Sequence, residues 1–213
     1  MSLKCRLYPA AAAVAALLLA AAPRAASAQA ASASDLRTTL NTTLAEHVWL
    51  AGSATAAALG GRSGEFKDAA GALDANSVAL GQAIGSVYGE SAGSAFLALW
   101  RKHIGFFVDY TTGVAKKDKA MQEKAVKDLL GYADEFGAFL ASANPHLPKD
   151  VVAGLVREHV VGLKAVVDAQ ARKDWAEAYA KLREAAAHMR MIADPLAAAI
   201  GKQFPDRFAA ISH

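Results

Sequence analysis

Three histidines, His47, His103 and His159, stand 56 residues apart in turn, with no insertion or deletion between them. Each sits inside an apolar helical pattern. Around His103, in the stretch WRKHIGFFVDYTTG, the positions sharing its helical face are Leu99, Trp100, Phe106 and Phe107, at i−4, i−3, i+3 and i+4, and all four are apolar. His47 occurs in LAEHVWLAG and His159 in VREHVVGLK. Interval and pattern together read as three copies of one unit, each with a histidine at the same point of its first helix.

The second helix of each unit keeps the same register. Leu73, Leu129 and Ala185 are spaced by 56 residues, as are Leu80, Phe136 and Ile192, and Ile84, Leu140 and Leu196. The expected fold is all-α: a six-helix bundle of three repeated helical hairpins, with a short α-solenoid as the alternative. The units are 35–89, 91–145 and 148–204, within a single domain 35–213. In a closed bundle the first helices lie inside and parallel, and their histidines meet at one height. In a solenoid neighbouring helices stand about 8–10 Å apart, too far for one ion to reach all three rings easily. Helix starts are expected at Asp35, Ser63, Ser91, Asp118, Asp150 and Asp174, residue types that cap or favour a first turn. Gly60-Gly61 suits a left-handed helix end. Asp194-Pro195 should kink the last helix or end it early. The tail from Gln203 to Phe208 should pack over one end.

Residues 1–28 read as an export signal. Lys4 and Arg6 form a positive start, residues 10–22 an apolar run, and cleavage is expected near Ala28 or Ala30. The run is shorter than the ~20 residues a membrane helix needs, so no transmembrane segment is expected. Residues 29–34 would be a flexible N-terminal tail, and the location periplasmic or secreted. Cys5, the only cysteine, leaves with the signal, so thiolate and disulfide chemistry are excluded from the mature chain. The whole chain carries 23 basic and 20 acidic residues. Without Lys4, Arg6 and Arg24 the two signs balance, which argues against nucleic acid or an anionic membrane as partner.

The histidine column carries the chemistry. Burial favours the neutral imidazole, and three neutral imidazoles facing one point make a ligand set for copper or zinc with a fourth position open. The alternative for each is a core histidine bonded to a backbone carbonyl or a carboxylate. His188 and Met191 share a face at i, i+3 and could add an imidazole and a thioether, suited to Cu(I) or to a haem axis. Asp109, Tyr110 and Asn76 are candidate supports for the ligands. Glu46 and Glu158 precede two of the histidines and point elsewhere around the helix. Trp49, Trp100 and Trp175, with Phe106 and Phe107, are expected in the core, or as walls of a haem or hydrophobic-ligand pocket.

H-E-x-x-H, G-x-G-x-x-G and P-loop patterns are missing, as are the Glu-x-x-His pairs of di-iron bundles. The expectation is an exported, non-enzymatic metal-binding helical protein holding copper or zinc, or else haem. A structural or protein-interaction module without metal is the alternative, and a metal-dependent enzyme comes third.

Overall fold

A computed structural model describes residues 32–208. It contains six helices: α1 (Ala33–Leu59), α2 (Ser63–Tyr88), α3 (Glu90–Lys116), α4 (Lys119–Ala143), α5 (Lys149–Ala171) and α6 (Trp175–Gln203). The expected export signal, residues 1–28, lies outside the described residues. Short connections force successive helices antiparallel, so α1, α3 and α5 run one way and α2, α4 and α6 the other. Each helix packs on the next, and α6 returns to pack on α1, so the ring closes. The inner three also touch one another. This is the closed bundle; the solenoid is ruled out because its end helices would not meet.

The turns that join the two helices of each hairpin explain why they reverse cleanly. Gly61, Lys117 and Lys173 are all left-handed, with φ of 69°, 56° and 60°. After α1, the N–H of Arg62 bonds the carbonyl of Ala57 and that of Gly61 the carbonyl of Ala58; the same pair recurs with Asp118 on Gly113 and Lys117 on Val114, and with Asp174 on Ala169 and Lys173 on Gln170. These paired bonds form the Schellman ending of a helix, which satisfies the last carbonyls. Asp118 and Asp174 then cap α4 and α6 by accepting from Met121 N–H and Glu177 N–H.

Several helix starts differ from expectation. Ser32 caps α1 in a reciprocal capping box with Asp35, so ordered helix begins at Ala33 rather than after a tail ending at residue 34. Ser63 does not cap α2; Arg62 occupies that position and its guanidinium pairs with Glu65. Ser91 does not cap α3, because Gly89 alone, at φ 93°, turns the chain from α2 into a helix starting at Glu90. Pro148 precedes α5, which starts at Lys149 rather than Asp150. Pro195 lies inside α6, and the helix continues to Gln203. Beyond it, Phe208 is buried and Arg207 donates to the carbonyls of Ser86 and Val87, closing one end as expected.

The core follows the apolar columns. Leu36, Leu40 and Leu44 of α1, Leu73, Leu80 and Ile84 of α2, Leu129, Phe136 and Leu140 of α4, and Leu182 and Leu196 of α6 are all buried. Trp49 and Trp175 are not core: they are 42% and 48% exposed.

Candidate metal centre

The three first-helix histidines meet on the axis of the bundle. His47 comes from α1, His103 from α3 and His159 from α5, and all three are buried. One ring nitrogen from each lies within 4.8 Å of the others. An ion at their centre would stand no more than about 2.8 Å from each, so each ring would need to close by under about 1 Å to reach the 2.0–2.1 Å of a metal–imidazole bond.

Layers of side chains one helical turn away on either side explain the position of the rings. At i−3 stand Leu44, Trp100 and Val156, and at i+4 stand Ala51, Phe107 and Leu163. Of these, Leu44, Trp100, Val156, Ala51 and Leu163 are buried. The Trp100 ring meets His103 edge-on at 4.6 Å between centroids and His47 at 5.0 Å. Tyr132 of α4 stacks on His103 at 4.9 Å. These aromatic faces restrict ring rotation and keep the imidazoles turned to the axis.

The hydrogen bonding of these rings separates them from ordinary core histidines. Nδ1 of His47, His103 and His159, and also Nε2 of His159, are buried without a hydrogen-bond partner. Buried polar atoms are normally paired, and leaving one unpaired costs about 1–3 kcal/mol. Burial holds each of the three pKa values down to about 3, reinforced by the neighbouring ring in each case. The rings are therefore neutral at pH 7, the form that offers a lone pair to a metal. The space among them is about 20 Å³, lined otherwise only by apolar side chains such as Leu73, Leu129 and Val160. That is the volume of one water or one ion.

The remaining candidates lie elsewhere. His188 donates through its Nε2–H to the carbonyl of Leu155 at 3.0 Å, and its Nδ1 stands 3.7 Å from Glu158. By contrast, neither ring nitrogen of His159 is paired. Met191 is 58% exposed, and its neighbour Met189 fills the core instead. Asp109 is exposed. Tyr110 donates to Asp168 at 2.6 Å in a second, smaller cluster with Ala125 and Val167, so it orients no histidine. Asn76 donates to the carbonyl of Thr43 and to Glu46.

Those last contacts have a pattern of their own. Asn76 bonds the carbonyl four residues before His47, and His188 bonds the carbonyl four residues before His159. The equivalent outer position of the middle hairpin is Tyr132, which instead stacks on His103 with its hydroxyl buried and unpaired. Sequence reasoning missed Tyr132. The signal was present, since it lies 56 residues from both Asn76 and His188. No helix among the described residues is long and apolar enough to cross a membrane. Comparison with protein-family models, with curated proteins and with solved structures finds no match to this chain.

Proposed function

We propose that this is a non-enzymatic metal-binding protein that holds one copper or zinc ion at His47, His103 and His159. The observation that carries it is the convergence of three neutral, buried imidazoles, each with at least one ring nitrogen that has no protein partner. A merely structural histidine would be tied to a carbonyl, as His188 is. A site of this volume suits a single ion rather than a haem macrocycle. In this reading the three hairpins are copies of one 56-residue unit, each contributing one ligand. The export signal then delivers the protein to the periplasm or outside the cell, where the ion is met.

A second reading has its own support. Trp49, Trp175 and Tyr179 are exposed around one cleft of about 170 Å³ beside the Arg62–Glu65 pair, and aromatic clusters of this kind suit a protein-interaction surface.

Elemental analysis of purified protein, after incubation with Cu(I) or Zn²⁺ and desalting, tests the first reading. About one ion per chain is expected for the native protein and less than about a tenth for His103→Ala. Equal retention in the two proteins refutes the site.

A further inference from the structure

The layer beyond the histidines is uneven, and the unevenness has a direction. At i+4 the inner helices α3 and α5 carry Phe107 and Leu163, while α1 carries only Ala51. The missing side-chain volume falls beside a groove of about 340 Å³ running between α1, α2 and α3. Ala51, Leu73, Ile104 and Phe107 line both this groove and the small space among the histidines. Further out the groove is walled by Ala54, Ala58, Phe66 and Val108, with the Asp74–Arg101 pair and Lys116 among its few polar borders. The route from outside to the three rings is thus apolar where it meets them.

Charge gives a second constraint. Glu46 and Glu158, the nearest acids in sequence, turn outward to Asn76 and toward His188. Without a carboxylate to neutralise it, a buried ion is penalised roughly as the square of its charge, so a monovalent ion is held at far lower cost than a divalent one. Three imidazoles in a plane also satisfy Cu(I), which accepts low coordination numbers and has no need of bound water.

Building on the metal-binding reading above, we infer that the centre holds cuprous ion and that its open coordination position, reached past Ala51, takes a small neutral diatomic ligand of the carbon monoxide class. Water and anions are disfavoured there, because the side chains that line the space apart from the three rings are all apolar.

Anaerobic loading with Cu(I), followed by infrared detection of the carbon–oxygen stretch under carbon monoxide, tests this. The native protein is expected to bind about one Cu(I) and give one sharp stretch per bound copper. Ala54→Leu, which fills the groove outside the histidine space, should retain copper and take up carbon monoxide at least tenfold more slowly. Ala51→Leu should lose most of the stretch per bound copper. Bound Cu(I) with no carbon monoxide adduct overturns the ligand inference and leaves metal binding standing. Uptake at native rate in both variants overturns the route. Failure to retain Cu(I) while Zn²⁺ is retained overturns the cuprous assignment, and failure to retain either ion removes the metal reading as well.

Discussion

A ring nitrogen buried without a partner is an expensive way to fill a core, and this protein has one or more at each of three histidines on one level. The unpaired ring nitrogens at His159 make it the costliest of the three. Replacing His159 with leucine removes both unpaired nitrogens at similar volume. The metal-free variant should gain about 1–3 kcal/mol at pH 7 in denaturant titrations, while losing the ion. The same rings make the metal-free native protein acid-sensitive. Their pKa values fall from 6.5 to about 3 on folding. The unfolded chain therefore takes up protons that the folded chain refuses. Stability is full above pH 6.5 and falls as the pH drops toward 3, by up to about 4 kcal/mol per pH unit. His159→Leu should flatten that slope by about a third. These three rings were legible in the sequence because interval and apolar context agreed. His188, Met191, Asp109 and Tyr110 were misplaced because a helical face gives an angle but not the position of the neighbouring helices. Met191 shares a face with His188 on the wheel, yet His188 bonds the Leu155 carbonyl of α5 while Met191 is exposed.

Between elements, distance of approach is set by glycine at a few crossings. A Cβ added at Gly93 of α3 would stand 2.6 Å from the carbonyl oxygen of Gly81 and 2.8 Å from Cα of Gly85 on α2. Both obstacles are backbone, so the helices themselves would have to part. Gly93→Ala should cost about 1–3 kcal/mol. Gly154→Ala in α5 meets nothing within 4 Å and should instead stabilise by about 0.5–1 kcal/mol, since alanine is the better helix former. Opposite signs in thermal denaturation would confirm that crowding rather than propensity decides the first case. Helix existence and the shared apolar columns could be read from residue spacing. Helix starts were read less well. Ser63 and Ser91 have the right chemistry for caps, but Arg62 and Gly89 already hold the N-cap positions, and the serines lie inside the helices. Pro195 was expected to interrupt α6, but the helix is buried on both sides of it through Ala193 and Leu196 and stays continuous.

At the scale of the whole molecule, the packing of α6 on α1 turns three hairpins into one enclosure. Sequence alone left closure open, because the same apolar columns also serve a side-by-side stack, and only tertiary contact between first and last helices distinguishes them. Closure is what brings the ring nitrogens within 4.8 Å. Metal bound only by the closed state must stabilise it. An ion present at a hundredfold excess over its dissociation constant should add about 2.7 kcal/mol and raise the melting temperature, and a chelator should reverse the shift. An unchanged melting temperature with bound ion would place that ion outside the enclosure. The division of labour among the hairpins has one more effect. Because each supplies a single imidazole, a nascent or truncated chain of two hairpins owns at most two ligands. On the proposed metal-binding reading, tight loading would wait for the last third of the polypeptide, and the ion would act as a readout of completed assembly rather than as its seed.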